Sequence, residues 1–301
     1  MESPTLLAVP NVSEGRAPGE IAEIGEAFAD AGSGAVRLLD VHSDADHHRS
    51  VFTLAGPPEA LADGLLSGAR MAVARIDVVS RAAGDPQDAG QHPHVGAVDV
   101  VPIVYLDPAA RGAACAEALV VGDRIADELG VPVFLYGELT ADGDRPSRTR
   151  AELRRGGVAA LAGRTLEPDF GPPSIHPTAG ATLVAARPPL VAFNLQLAPP
   201  ATLQDARRIA ALIREGGEHG LPGVRAIGVL LGGGVAQVSM NVERPFDVPL
   251  ASVLAAVRRH APVASAELVG LAPAAALEGF PADVLFPGLD LARHVIENAL
   301  G

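Results

Sequence analysis

The sequence predicts an α+β protein of two ferredoxin-like halves, because the order strand-helix-strand-strand-helix-strand occurs twice along the chain. Apolar strand patterns alternate with amphipathic helix patterns, as in sheets that carry helices on one face. Hydrophobic residues make up 48% of the 301 residues and charged residues 20%, which is typical of a folded globular protein. We place the boundary near Pro188, between an N-terminal half at 1–188 and a C-terminal half at 189–301. A ligand site in the crevice between the halves is the default expectation.

The first half contains one complete repeat, followed by a further helix and a further strand. Strands are predicted where apolar residues run together or alternate, and helices where apolar residues recur every three to four positions. Prolines at the start of the second helix and a glycine at the end of the first support these bounds. The predicted elements are the strand 5–12, the helix 19–32, the strands 35–41 and 49–56, the helix 57–77, the strand 97–106, the helix 109–129 and the strand 131–137.

The second half repeats the same order. Its predicted elements are the strand 190–197, the helix 202–217, the strands 224–231 and 236–242, the helix 249–260 and the strand 265–273. Three consecutive glycines, 232–234, predict a tight turn between the two middle strands. The segment 167–189, between the two repeats, is rich in proline and glycine and is interpreted as a connection that carries motifs.

The composition excludes several kinds of function. The formal net charge is -13 and no basic tract stands out, so we expect no nucleic-acid partner. The chain contains no lysine, which excludes Schiff-base enzymes, a pyridoxal-phosphate lysine and a P-loop lysine. No apolar stretch approaches the length of a membrane span, and the N-terminus lacks the pattern of a signal peptide. We therefore expect a cytoplasmic protein that acts on small molecules and has no membrane partner.

Five of the nine histidines fall in two clusters beside predicted strands. The second cluster, His92 and His94, precedes the strand 97–106. Two such loops that leave strands of one sheet can be brought together by the strand ends, which argues against two unrelated solvated turns. The first cluster lies between the strands 35–41 and 49–56 and consists of His42, Asp44, Asp46, His47, His48 and Arg49.

Three kinds of chemistry remain open for these loops. Imidazoles titrate near neutral pH, and a nearby carboxylate can orient the ring, so the clusters suit general acid–base catalysis. Histidine and aspartate are also ligands of zinc, manganese or iron. The first loop is similar to the His-x-His-x-Asp-His loop of metallo-hydrolases, but Asp44 stands where the second histidine belongs. In the third interpretation the histidines are structural and bonded to the backbone.

A second candidate segment, residues 171–180, consists of small residues and prolines with a few polar side chains. Such a segment lets a planar ligand approach the backbone closely, and its alternative interpretation is an ordinary interdomain connection. Its residues are Gly171, Pro172, Pro173, Ser174, Ile175, His176, Pro177, Thr178, Ala179 and Gly180.

Several motifs follow one another along nearly the whole chain with little insertion. They are VPNVSEGR, LLDVHSDADHHRSVFTLAGPP, HPHVGAVDVVPI, VPVFLYGE, PDFGPPSIHPTAGAT, VAFNLQL, AQVSMNV and ELVGLAP. Taken in order, these motifs resemble the formiminotransferase family. The resemblance depends on six or more motifs in sequence rather than on any single one.

The resemblance implies both a fold and an activity. Proteins of this family have two ferredoxin-like subdomains with a folate tunnel between them. They transfer the formimino group from N-formimino-L-glutamate to N5 of tetrahydrofolate, the co-substrate, and require no metal. The family's catalytic histidine corresponds to His92, and its folate-contacting segment corresponds to 171–180. A homodimer is also implied by family analogy.

The resemblance further implies roles for the first loop, with departures. The family pattern has an aspartate that supports the catalytic histidine, and His42 stands in its place. Asp40, Asp44 and Asp46 are candidates to take over that role, and we expect Asp44. Arg49 is a candidate contact for a carboxylate of glutamate or folate, with a surface ion pair as the alternative.

Two further departures affect substrate contacts. His94 stands where the family usually has an arginine, and Ala179 where it frequently has an aromatic residue, so the side chains for one anion contact and one stacking contact are replaced here. We therefore keep three alternatives beside the formimidoyltransferase: transfer of a formyl group, a folate-binding protein without catalysis, and a metal-dependent hydrolase that uses the histidine and aspartate loops.

Overall fold

The computed structural model describes residues 3–30, 32, 34–84, 93–140 and 148–301. The chain divides into two compact units, Met1–Pro188 and Pro189–Gly301. Each unit contains its own sheet and helices, so the predicted α+β class is confirmed. The tunnel expected between the units stays a prediction. Within the described residues, no helix is both long enough and apolar enough to cross a membrane.

The first unit has seven strands and six helices among its described residues. The strands are β1 (Leu6–Ala8), β2 (Asn11–Val12), β3 (Arg37–Asp44), β4 (Arg49–Gly56), β5 (Val98–Val104), β6 (Val133–Leu135) and β7 (Thr182–Arg187). The helices are α1 (Pro18–Ala29), α2 (Ala60–Arg75), α3 (Val78–Ala83), α4 (Arg111–Leu129), α5 (Arg150–Leu153) and α6 (Gly157–Leu161).

The sheet of the first unit has the strand order β3, β4, β1 with β2, β5, β7, β6. The predicted strand 5–12 is divided into β1 and β2 at Pro10, because proline has no N–H to give to the ladder. Both parts still pair with β4 on one side and β5 on the other. The pairings of β5 with β7 and of β7 with β6 are parallel, whereas the others are antiparallel.

The segment 167–189, in which the sequence predicted no strand, contributes β7 to the interior of this sheet. Residues Thr182–Ala186 are all buried, so the strand shows no alternation of apolar and polar residues. The many prolines and glycines of the surrounding segment are typical of loops, and the strand was therefore missed.

Both faces of the sheet carry buried apolar clusters around β5, β7 and β6. One cluster includes α1, α2 and α4, as expected for a layer of helices on one face. The other includes Phe134, Leu183 and Ala185, against which Leu153 of α5 and Leu161 of α6 pack. The short helices α5 and α6 therefore add a second layer that the sequence did not predict.

The second unit has four strands. Its elements are β8 (Val191–Leu197), α7 (Leu203–Ile213), β9 (Val224–Leu230), β10 (Ala236–Val242), α8 (Leu250–Arg258), β11 (Val263–Val269), α9 (Ala274–Leu277), α10 (Leu291–His294) and α11 (Ile296–Leu300). The strand order is β11, β8, β10, β9, and all pairings are antiparallel. A turn at 232–234 joins β9 to β10, as predicted.

Helix α2 begins on a carboxylate that belongs to another helix. Glu117 of α4 is 4% exposed, and its carboxylate accepts the N–H groups of Glu59 and Ala62 at 2.8 to 3.1 Å. The first N–H groups of a helix have no partner within the helix, so this carboxylate replaces a local cap. Burial raises the pKa of Glu117, while the two backbone hydrogen bonds oppose that shift.

We predict that Glu117→Ala lowers the free energy of unfolding of the first unit by about 1–3 kcal/mol, because the buried N–H of Ala62 and the partly buried N–H of Glu59 lose their acceptor. Glu117→Gln is the matched control, since its amide oxygen can still accept both N–H groups. Both tyrosines, Tyr105 and Tyr136, lie in the first unit, so tyrosine fluorescence in urea reports on that unit alone. Equal midpoints for the Ala and Gln variants would contradict the prediction.

Candidate functional site

The N-terminal turn at 13–16 connects the entry of β5 with the start of β4. The N–H of Ser13 donates to the carbonyl of Ala97 at 2.9 Å, and its hydroxyl donates to the carbonyl of Gly96 at 2.7 Å. The hydroxyl of Ser50 donates to the carbonyl of Glu14 at 2.6 Å. These buried bonds hold the two histidine-bearing regions against one turn.

The end of the candidate segment 171–180 pairs directly with the entry of β5. The N–H of Ala97 donates to the carbonyl of Ala179 at 2.9 Å, and the N–H of Ala181 donates to the carbonyl of Val95 at 2.8 Å. The approach requires glycine, because a Cβ atom on Gly96 would lie 1.8 Å from the carbonyl oxygen of Ala181. Gly180 has a φ of +72° and is equally enclosed. Two regions predicted separately from the sequence thus form one continuous structure.

His176 holds the turn at the end of this segment. Its ring Nδ1 accepts the backbone N–H of Ala179 at 3.0 Å and that of Thr178 at 3.3 Å. The backbone N–H of His176 donates to the carbonyl of Gly180 at 2.8 Å. Burial lowers the pKa of His176, and a ring nitrogen that accepts two N–H groups is unprotonated. The imidazole therefore has a structural role in shaping this turn.

The beginning of the segment lies elsewhere in the first unit. A Cβ atom on Gly171 would lie 3.0 Å from that of Ala126 in α4, and the carbonyl of Pro173 accepts the N–H of Leu166 at 2.8 Å. Ser174 is exposed, and Ile175 packs against both apolar clusters. The segment therefore extends from α4 to the entry of β5.

The first histidine loop forms the end of the β3–β4 hairpin. His42 lies on β3, opposite Val51, and is half-buried. Asp44 accepts the N–H of His47 at 2.9 Å, and its other oxygen lies 3.8 Å from Nε2 of the same residue. The carboxylate of Asp44 is thus engaged in shaping its own turn, which the sequence did not predict.

His48 occupies an unusual backbone conformation with a φ of +47°. It is 8% exposed, and its Nδ1 accepts the N–H of Gly15 at 3.1 Å. Glu14 lies 3.5 Å from Nδ1 and also pairs with Arg81 at 3.0 Å. Burial, and then the charge of Arg81, lower the pKa of His48 to about 4, so the imidazole is neutral at pH 7. Positive φ in a residue other than glycine is a strained state that clusters at functional sites.

Arg49 begins β4 and is half-buried. Within the described part of the chain its side chain forms no hydrogen bond and no ion pair, so the surface ion pair suggested as an alternative is not found there. Burial, and then the positive charge of Arg154, lower the pKa of Arg49 to about 10. A guanidinium in this state is suited to an anionic ligand.

The sequence did not predict the ion pair between Asp99 and Arg154. Asp99 of β5 is 1% exposed, and one of its oxygens accepts the N–H of Val95 at 2.8 Å. The other oxygen accepts Nη2 of Arg154, which follows α5 and is 7% exposed. A charged residue inside the apolar run 97–106 was the available signal for Asp99, whereas no pattern marks Arg154.

The predicted catalytic residue, His92, lies outside the described residues. His94 is described: its carbonyl accepts the N–H of Val158 at 2.9 Å. The structure therefore brings together the 13–16 turn, the hairpin end, the entry of β5 and the end of the segment 171–180. Among the described residues, no group of three or more histidine, cysteine or acidic residues is placed to hold a metal ion.

Comparison with known proteins tests the resemblance inferred from these motifs. A sequence model of the formiminotransferase domain, N-terminal subdomain, matches residues 5–187. The chain belongs to the formiminotransferase family. The match includes the 13–16 turn, the β3–β4 hairpin, the entry of β5 and the segment 171–180, and the resemblance inferred from the sequence is confirmed.

Several named proteins of the formiminotransferase family are similar to this chain. A glutamate formimidoyltransferase of Streptococcus pyogenes serotype M1 is 36% identical, with 97% of both chains covered. One from Thermoplasma acidophilum is 33% identical over 89% of this chain and 88% of its own. The formimidoyltransferase-cyclodeaminase of Gallus gallus is 39% identical over 89% of this chain and 50% of its own. The chain thus spans about half of that bifunctional relative and nearly all of the streptococcal transferase.

The neutral state of His48 predicts a pH-dependent stability. Its pKa is about 4 in the folded state against 6.5 ordinarily, so unfolding takes up a proton between these values. The free energy of unfolding should therefore fall with falling pH across this window, by up to about 1.4 kcal/mol per pH unit. His48→Asn removes this titration and keeps a residue that tolerates positive φ.

The measurement is urea unfolding followed by tyrosine fluorescence between pH 7 and 4. The wild type should lose more stability than His48→Asn, although Glu14 titrates in both. His219→Asn, which replaces an exposed histidine of the second unit, serves as the control. Parallel pH profiles for the wild type and His48→Asn would contradict the prediction.

Proposed function

We propose that this protein is a glutamate formimidoyltransferase, which transfers the formimino group of N-formimino-L-glutamate to N5 of tetrahydrofolate. The observation that carries the proposal is the match to the streptococcal glutamate formimidoyltransferase over 97% of both chains. The contiguous arrangement of the segment 171–180, the entry of β5 and the hairpin end supports a single site for both substrates.

In the proposed reaction His92 acts first as a base and then as an acid. N5 of tetrahydrofolate attacks the formimino carbon, and a new carbon–nitrogen bond forms in a tetrahedral intermediate. His92 takes the N5 proton and returns a proton to the nitrogen of glutamate. The old carbon–nitrogen bond then breaks and releases glutamate. One imidazole with a pKa near neutral can perform both transfers in turn, without a metal.

The remaining residues are proposed to bind and orient the substrates. Residues 171–180 contact the folate, and the fixed turn at 176–180 supports that role. His42 and Asp44 are proposed to support His92 from the hairpin, although Asp44 also caps the turn at His47. Arg49, which has no ion-pair partner among the described residues, is proposed to bind a carboxylate.

The alternatives differ in their support. Transfer of a formyl group would use the same nitrogen of folate, so it is tested beside the main proposal with N-formyl-L-glutamate as donor. The metal-dependent hydrolase finds no support, because the named relatives are transferases. The homodimer and the cytoplasmic location stay predictions, and the first can be measured by light scattering.

We predict that the purified protein releases glutamate from N-formimino-L-glutamate only when tetrahydrofolate is present. His92→Ala should lower kcat by about 10²- to 10⁴-fold, since general acid–base catalysis contributes that much. Tetrahydrofolate should still bind this variant, because the segment 171–180 is unchanged. Glutamate release and tetrahydrofolate consumption are measured in the same anaerobic assay.

The matched control is His219→Gln, an exposed histidine of the second unit, which should leave kcat unchanged. Full activity in His92→Ala would remove that residue from the mechanism. Binding of tetrahydrofolate without any turnover in the wild type would favour the folate-binding protein. Release of glutamate from N-formyl-L-glutamate, without release from N-formimino-L-glutamate, would favour formyl transfer.

A further inference from the structure

The region around Arg49 has an imbalance of buried charge. Arg154 has one carboxylate partner, Asp99, and that carboxylate is also used by the N–H of Val95. Asp44 acts on Arg49 electrostatically, but its oxygens are directed to His47. Ser50 of β4 and Val98 of β5 both pair with Val12 of β2, which places Arg49 and Asp99 two strands apart at the same level of the sheet. Asp99 is the carboxylate directly bonded to Arg154.

Arg154 retains an unused donor in this buried position. Its residue is 7% exposed, and its Nε is buried without a hydrogen-bond acceptor among the described residues. A guanidinium carries five N–H donors in a fixed plane, of which Nε and one Nη can hold both oxygens of a carboxylate. A buried donor without an acceptor is costly, so a missing acceptor is indicated here.

Arg49, at the same level of the sheet, also lacks a carboxylate partner. Its side chain has no ion pair within the described ranges. Burial, and then the positive charge of Arg154, lower the pKa of Arg49 to about 10. Two like charges in a partly desolvated position repel each other, and an anion bound by both guanidinium groups would relieve that repulsion.

We infer that Arg49 and Arg154 together bind the α-carboxylate of the amino-acid donor. The assignment to this substrate rests on the proposed function, whereas the carboxylate site itself rests on the two arginines. Arg154 was not a candidate from the sequence, and its partner Asp99 holds it in place.

The position of the two arginines favours the donor over folate. Arg154 is tied through Asp99 to Val95, which follows the proposed base His92 by three positions in the sequence. Arg49 follows His48 in the hairpin end, which the 13–16 turn joins to the entry of β5. In the donor, the α-carboxylate carbon lies about 2.5 Å from the reacting nitrogen. In tetrahydrofolate, an aromatic ring and an amide separate the carboxylates from N5.

This site would make the donor's α-carboxylate a determinant of specificity. A planar, bidentate contact selects a carboxylate over an amide of the same size, because the amide places an N–H against a guanidinium. L-Glutamine retains the α-carboxylate, whereas L-isoglutamine carries an amide in its place. Both retain the α-amino group, so they differ from L-glutamate by one carboxylate each.

The test measures binding of these three amino acids by calorimetry, beside steady-state kinetics. In the wild type we expect L-glutamate and L-glutamine to bind more tightly than L-isoglutamine. Arg49→Gln should weaken L-glutamate and L-glutamine by about 10- to 100-fold, which is the range for a hydrogen bond to a charged group. L-Isoglutamine should be little affected. The KM of the formimino donor should rise equally, and that of tetrahydrofolate should not change.

Two further variants complete the design. Arg154→Lys keeps a positive charge beside Asp99 but removes Nε, and should weaken L-glutamate while the protein stays folded. Arg207→Gln, an exposed position on α7, is the control and should change nothing. Circular dichroism and urea midpoints verify that each variant is folded.

The outcomes separate this inference from the proposed function. Normal turnover with unchanged L-glutamate affinity in Arg49→Gln overturns the carboxylate site and leaves the transferase standing. Arginine-dependent binding of L-glutamate without turnover supports the site and contradicts the activity. A raised KM for tetrahydrofolate alone, with donor kinetics unchanged, overturns the assignment to the donor.

Discussion

The site depends above all on the backbone pairing of residues 95–97 with residues 179–181. The two segments are far apart in the sequence, and they approach so closely that neither Gly96 nor Gly180 has room for a side chain. The carbonyls of Gly96 and Ala97, just before β5, also accept hydrogen bonds from the hydroxyl and the N–H of Ser13. Three distant parts of the chain are therefore fixed by main-chain bonds, and the geometry of the site does not depend on flexible side chains. Such preorganisation is what positional catalysis requires.

Around this frame the charges are arranged so that some groups stay neutral and others stay charged. His48 accepts an N–H and is held neutral, while Glu14 beside it is shared with Arg81. Arg49 remains charged at neutral pH because its pKa, although lowered, is about 10. The chain has no lysine, so arginine supplies every permanent cation near the site. Arginine also fits carboxylates in a planar, bidentate manner, which an ammonium group cannot do.

The sequence was sufficient to predict most strands and helices, because their apolar periodicity is regular and their ends carry glycine and proline. It was insufficient for β7, whose residues are small and buried along most of the strand, and therefore show no period. The second histidine loop and the segment 171–180 were found as separate motifs, yet their contact is an antiparallel bridge between Gly96 and Gly180, which are far apart in the sequence, and no local pattern encodes it. Asp99 and Arg154 were missed for a related reason, since an ion pair between residues 55 positions apart leaves no local signature.

The placement of β7 has a consequence for how the protein is made. In the described part of the chain, β6 has β7 as its ladder partner, and β7 also pairs with β5. β6 ends at Leu135 and β7 begins at Thr182, so during synthesis β6 leaves the ribosome about 50 residues before the strand with which it pairs. Until then, one side of β5 lacks its ladder partner, and α4 lacks the part of its packing that β7 supplies. Completion of the first unit is thus a late event in translation. It depends on long-range contacts, which slow folding. Until β7 is made, the edge of the sheet is open to pairing with other chains.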